Sequence, residues 1–405
     1  IFERHKIGCL NRILLFITLL FTTHFARAQS TEYLFQRLGV KDGLFEETVH
    51  AIQQDAKGFI WLNFRTLIQR YDGNRMLSFY PGTQLPEGNI RAMMMDKKNR
   101  LCLLSGDASL GYLDPDNFKY YPVKAIKPKR FNSIVTGAYI NRKGEMMLVW
   151  DKQGFITYND ETGLADEANN PFLIPKGWEP VHIWQDAAFH YWAGTANGLL
   201  KYNASNKTVS YRGHNADNDP VIKAFEQVNN ISSCYVDKAG NTWVITWEGG
   251  LKILSYNAAT GKKTDWAPKI NRVVNKYYVP YTFTETTGNE LWLTGTSLFC
   301  KINTVDESVQ VIPEQSPAEY SILYDMIFCL YEDKEKNIWA GTNKGLFRFN
   351  PQGQLFHIIT NKRQGSAAGM ATDVTCFLET ADGQLLAGNR GHGIFSYNKQ
   401  LQPTL

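Results

Sequence analysis

Trp192-Ala193-Gly194-Thr195-Ala196-Asn197-Gly198-Leu199-Leu200-Lys201-Tyr202 is an apolar run broken by a turn of the form G-T-x-x-G-L and closed by a tyrosine. The phrase returns at Trp339-Gly341-Thr342-Gly345-Leu346, and an Asp stands six residues before the Trp at Asp186, Asp237 and Asp333. Aligned on the Trp position, the chain reads Trp61, Cys102, Met147, Trp192, Trp243, Trp292, Trp339 and Leu386, eight units spaced 41 to 51 residues apart. Self-similarity at this period means one supersecondary unit stacked many times. Where Trp is lost an apolar residue replaces it, as a buried packing position demands.

The Asp position reads Asp55, Asp96, Asn141, Asp186, Asp237, Thr286, Asp333 and Thr380. Asp and Asn hold tight turns through their own backbone, and glycine three residues on (Gly58, Gly144, Gly240, Gly383) supplies a positive φ at low cost. Runs such as Val49-His50-Ala51-Ile52-Gln53 and Ile60-Trp61-Leu62, bounded by Gly, Asn and Asp, read as strands. About 45 residues accommodate four short strands with their turns, the size of a propeller blade. A helical-pair repeat would need apolar spacing of three and four, which the recurrent glycines interrupt. The expected fold class is therefore all-β, a β-propeller of four-stranded antiparallel blades.

The 405 residues include 13% aromatic and only 20% charged, enough for a large β core. The net charge of +4 is small and no basic run stands out, so nucleic acid is not an expected partner. Arg4, His5, Lys6 and Arg12 precede the apolar run Ile13 to Phe21, and Ala26-Arg27-Ala28 follows, the pattern of an export signal over residues 1–28 with cleavage before Gln29. The apolar run is too short to span a bilayer. Beyond Cys9, the cysteines Cys102, Cys234, Cys300, Cys329 and Cys376 are expected as buried thiols. With no C-x-x-C, P-loop, H-E-x-x-H or G-x-S-x-G, neither metal nor cofactor is expected.

The stretch Tyr33-Leu34-Phe35-Gln36-Arg37-Leu38-Gly39-Val40-Lys41-Asp42-Gly43-Leu44, running into Val49 to Trp61 with Tyr71-Asp72-Gly73 behind it, closely resembles the start of two-component regulator propeller proteins. Such sequences look like periplasmic sensor regions of hybrid histidine kinases from glycan-degrading Bacteroidetes, and the resemblance covers Tyr33 to Asn398. It implies tandem seven-bladed propellers, a membrane-proximal β-sandwich, one transmembrane helix, and kinase, receiver and DNA-binding domains that this chain lacks. It also implies a homodimer in the full-length protein, anchored in the inner membrane. On that footing residues 29–360 would form a seven-bladed propeller, with Phe35 to Leu38 completing its last blade. Residues 361–405 would open a second, truncated propeller. An eight-bladed single ring is the alternative.

In an up-and-down blade the T-x-x-G-L loops and the residues leading into each first strand emerge at one end, the face that forms a propeller's mouth. Sugars are bound by aromatic stacking and by side chains that donate or accept hydrogen bonds. The residue types on that face with those properties are Trp247, Arg65, Arg390, Trp150, Asn89, Asn230, Asp373 and His392, of which Trp247, in a Gly-flanked insertion, stands first. They make an oligosaccharide the expected ligand and glycan-dependent signalling the expected role. Two other classes compete. A sialidase-like hydrolase would need paired carboxylates, of which Glu47 with Asp373 is one example by strand parity, and an arginine triad that Arg65 and Arg390 do not complete. A WD-repeat interaction scaffold is the other, but the Trp here sits inside a strand and the export signal argues against a cytosolic hub.

Overall fold

The computed structural model describes residues 33–106, 108–314, 320–351, 374–390, 393–399 and 404. The export signal expected over residues 1–28 lies outside them. Two compact units are present, one running to Pro351 and the other Gln352–Leu405.

The first unit is a succession of antiparallel sheets, each built in chain order from the inside outward. Sheet one holds Ala51–Gln54, Ile60–Asn63, Ile68–Tyr71 and Met76–Phe79, and sheet two Ile90–Met95, Leu101–Ser105, Leu110–Leu113 and Tyr120–Ala125. Sheet three holds Val135–Ile140, Met146–Trp150, Gly154–Asn159 and Leu164–Asp166; its outer strand joins that of sheet two in a short parallel pairing. Sheet four runs Pro180–Gln185, Tyr191–Thr195, Gly198–Asn203 and Thr208–Tyr211, with His214–Asn215 added outside. Sheet five comprises Ile231–Val236, Thr242–Thr246, Lys252–Tyr256 and Lys263–Asp265, and sheet six Val279–Glu285, Leu291–Thr296, Leu298–Asn303 and Ser308–Val311. Sheet seven takes Ile327–Glu332, Ile338–Thr342 and Gly345–Phe349 from the end of the unit, and its fourth strand, Gln36–Leu38, from the beginning.

The first strands lie against one another in order, 51–54 beside 90–95 and so on to 327–332, which returns to 51–54. The apolar clusters follow the same circuit. Trp61 and Ile68 pack on Leu101 and Leu103, Trp243 and Ile253 on Phe283 and Leu293, and Trp339 and Leu346 on Val49 and Leu62 of sheet one. The repeated tryptophans thus fill the seams between neighbouring sheets, as a buried slot requires.

Each D-x-x-G turn has a left-handed residue three after its first position: Gly58, Gly144, Gly240 and Gly383 at φ 81–94°, with Asn99, Phe189, Asn289 and Lys336 at φ 60–67° in the other four. The second phrase, G-T, is dictated by approach. A Cβ on Gly194 would lie 2.8 Å from the Ile231 carbonyl oxygen, and one on Gly341 2.7 Å from that of Val49, both on the next sheet.

The second unit is a three-stranded sheet, Val374–Glu379, Leu385–Asn389 and Gly393–Tyr397. Cys102, Cys234 and Cys300 are buried free thiols and Cys329 is half-buried, whereas Cys376 is exposed. That last placement corrects the expectation: every residue of Val374–Glu379 is exposed among the described residues, so the thiol has no packed surroundings of the kind that bury its counterparts there.

Candidate binding site at the mouth of the ring

The T-x-x-G-L turns and the segments leading into the first strands do share one end, and backbone hydrogen bonds stitch them across neighbouring sheets. Ile90 N–H donates to Arg65 O (2.6 Å), Lys152 to Pro180 (3.2 Å), Asn230 to Ala196 (2.8 Å), Ser297 to Asp325 (2.7 Å) and Gly345 to Glu47 (2.8 Å). These bonds join five of the seven neighbouring pairs of sheets along this face, which is therefore a rim rather than a set of independent loop tips.

Trp247 lies on that rim, 40% exposed, at a turn where its carbonyl accepts from Gly250 N–H. Arg65 is exposed at φ 67°, its N–H held by Asn63 Oδ1. Asn89 and Asn230 are exposed as well; the Asn89 carbonyl accepts from Gly106 N–H, and Asn230 adopts φ 49°. Trp150 is a correction. Its strand continues through it, and alternation turns the indole into the seam between sheets two and three, 1% exposed and 5.3 Å from the Phe131 ring, where no ligand reaches it. Arg390 is exposed in the second unit. Asp373 and His392 lie outside the described residues.

The pairing registers reveal a feature the sequence reading passed over. The first strand of each of sheets two to seven is interrupted one or two residues after it begins, between Ile90/Ala92, Val135/Gly137, Pro180/His182, Ile231/Ser233, Pro280/Thr282 and Ile327/Cys329. The extra residues are Arg91, Thr136, Val181, Ser232, Tyr281 and Phe328, and His50 holds the same place in sheet one. A bulge leaves one residue unpaired and re-aims its side chain. Repeated on the innermost strands of sheets two to seven, with His50 just ahead of the regular strand of sheet one, it sets a circle of such side chains just inside the rim. Three neighbouring pairs touch: His50 and Phe328 have ring centroids 4.6 Å apart, Phe328 and Tyr281 stack at 6.4 Å, and the Thr136 hydroxyl donates to the Val181 carbonyl at 3.1 Å. All lie five residues before the Asp position of their repeat, a regularity that could have identified them from the alignment.

The circle is uneven. Tyr281, Phe328 and His50 make an aromatic arc on consecutive sheets six, seven and one; Arg91 follows on sheet two, with hydroxyls at Thr136 and Ser232. Burial, reinforced by the nearby Arg65 charge, lowers the His50 pKa to about 4, so its imidazole is neutral at neutral pH. Several acidic groups of the rim are already engaged. Glu47 pairs with Arg37 at 2.9 Å, Asp325 with Lys344 at 3.0 Å, and Glu248 accepts from Asn229 at 2.9 and 3.0 Å. No cluster suited to a metal occurs among the described residues, and no helix there is long and apolar enough to cross a membrane.

The two-component regulator propeller family model matches residues 321–344. Among solved structures, the extracellular domain of a putative hybrid two-component system from B. thetaiotaomicron aligns over 92% of this chain and 54% of its own length, at 18% identity and TM-score 0.60. A second such domain from B. thetaiotaomicron covers 90% and 46% at 15% identity and TM-score 0.56. A streptogramin B lyase covers 79% and 98% at 14% identity and TM-score 0.55, so the fold by itself does not separate binding from catalysis. No curated protein matches the chain. The chain spans about half the length of the two extracellular domains. The protein is thus an all-β chain of the β-propeller class that carries the two-component regulator propeller repeat, on the fold of the extracellular domains of hybrid two-component systems.

Proposed function

We propose that this chain is the periplasmic ligand-sensing region of a hybrid two-component sensor histidine kinase, recognising a glycan-derived oligosaccharide and controlling polysaccharide use. The observation that carries this reading is the aromatic arc Tyr281–Phe328–His50 set inside a rim bearing Trp247, Asn89 and Asn230. Flat apolar rings ringed by amide and hydroxyl groups suit the C–H faces and hydroxyls of a sugar. Sheets one to seven then form one complete propeller, residues 361–405 begin another, and kinase output and dimerisation belong to further parts of the protein. A ligand drives such a sensor only by binding one arrangement of its domains better than the other. Calorimetry of the chain against a panel of oligosaccharides tests the reading. At least one is expected to bind, with affinity lost in Tyr281→Ala at unchanged melting temperature. Binding of none, or binding indifferent to Tyr281 and Trp247, refutes it.

A further inference from the structure

We propose that the aromatic arc and the two arginines beside it form a subsite for the acidic ring of a uronate-containing oligosaccharide. This deepens the sensing reading and rests on it. Arg65 stands on the rim of sheet one and Arg91 at the bulge of sheet two, and the hydrogen bond from Ile90 N–H to the Arg65 carbonyl ties the two segments together one residue from Arg91. Arg91 lies beside Gly106, whose added Cβ would sit 3.6 Å from its Nε, so its base is at the rim and not at the far end of the strand. Both side chains are exposed, and neither takes part in an ion pair among the described residues. Elsewhere on this face the cations Arg37 and Lys344 are neutralised by Glu47, Asp325 and Glu314.

The half-buried His50, which touches Phe328 at the end of the aromatic arc, is close to Arg65, and Arg91 holds the equivalent place on the next sheet. A guanidinium recognises a carboxylate through parallel charge-assisted N–H···O bonds, which a hydroxyl cannot replace. A pyranose stacked on Phe328 and Tyr281 carries its C6 substituent at the ring edge. A carboxylate there can reach Arg65 or Arg91 while the ring hydroxyls face the neutral imidazole and Asn89. The ring supplies the stacking and the acid supplies the discrimination.

The test is isothermal titration of the full chain with the trisaccharides of galacturonate, glucuronate and mannuronate, their methyl esters, and the neutral trisaccharides of galactose, glucose and mannose. At least one acid is expected to bind, with its methyl ester about tenfold weaker. Arg91→Gln and Arg65→Gln should each weaken the acid by a similar factor and leave the ester unchanged. Both positions are exposed, so the melting temperature should not move. Equal affinity for acid and ester, or an acid affinity untouched by both substitutions, overturns the inference. Binding of neutral trisaccharides with none of the acids overturns it too, while leaving the sensing proposal standing. Failure of every saccharide removes both.

Discussion

At the scale of single residues, the repeat is held by a clasp between its two most recurrent side chains. Asp55 Oδ2 accepts the Trp61 indole N–H at 2.8 Å, and the same bond closes Asp186–Trp192, Asp237–Trp243 and Asp333–Trp339 at 2.8, 3.0 and 2.7 Å. The other carboxylate oxygen holds the turn; Asp55 Oδ1 takes the N–H groups of Lys57 and Phe59. Where Cys102 replaces Trp, Asp96 turns to Arg100 at 2.6 Å instead. Where Thr286 replaces Asp, the buried indole N–H of Trp292 has no partner among the described residues. Thr286→Asp should therefore stabilise the protein by about 1 kcal/mol, read as a raised melting temperature, because it supplies the missing acceptor; no change, or a drop, would show that the turn cannot present it. His182 offers a second test. Its ring packs against Cys234, 3.6 Å from Nδ1 to Sγ, and burial lowers its pKa to about 4. The unfolded chain then binds the proton more readily, so stability is full above pH ~6.5 and declines as pH falls toward 4. His182→Asn should make the melting-temperature profile shallower across that window, with the contribution of His50, whose pKa is lowered likewise, remaining.

At the scale of elements, the decisive piece is the borrowed strand. Gln36–Leu38 pairs with Gly345–Phe349, Arg37 opposite Phe347, and brings Tyr33 and Phe35 into the seam between sheets six and seven. Phe35 is 4% exposed with its ring 4.7 Å from Phe349. Phe35→Ala should cost about 3–5 kcal/mol and lower the denaturation midpoint with little change in slope. A loss below about 1 kcal/mol would mean that this strand does not hold the circuit closed. The closing role of Phe35 to Leu38 was an expectation of the family resemblance, and the pairing of Gln36–Leu38 with Gly345–Phe349 agrees with it. The bulges were not expected. Arg91, Thr136, Val181, Ser232, Tyr281 and Phe328 share no chemistry; the repeat alignment puts them in one column, and only the register against the second strand shows that column to be bulged. Trp150 erred in the opposite direction: an indole next to a turn reads as a loop residue until the strand is seen to run through it.

At the scale of the whole molecule, the first unit returns upon itself through the seam of Val49, Leu62, Trp339 and Leu346, so its core is complete within residues 33–351. A protein ending at Pro351 should melt at the same temperature as the full chain and aggregate less, since Val374, Phe377, Leu378 and Ile394 of the second unit are 43–70% exposed. A fall of several degrees on this truncation, followed by calorimetry, would refute the self-contained circuit. By itself the sequence determined the class of fold, the repeat and its phase, and the end of each blade on which the mouth lies. Those properties follow from local rules: strand alternation, turn chemistry and the burial of a recurring aromatic. Which side chains meet was decided only by tertiary structure. The arc of Tyr281, Phe328 and His50 joins residues 278 positions apart in the chain at its extremes, 328 and 50. Their proximity comes from the closing of the ring, which no local pattern encodes.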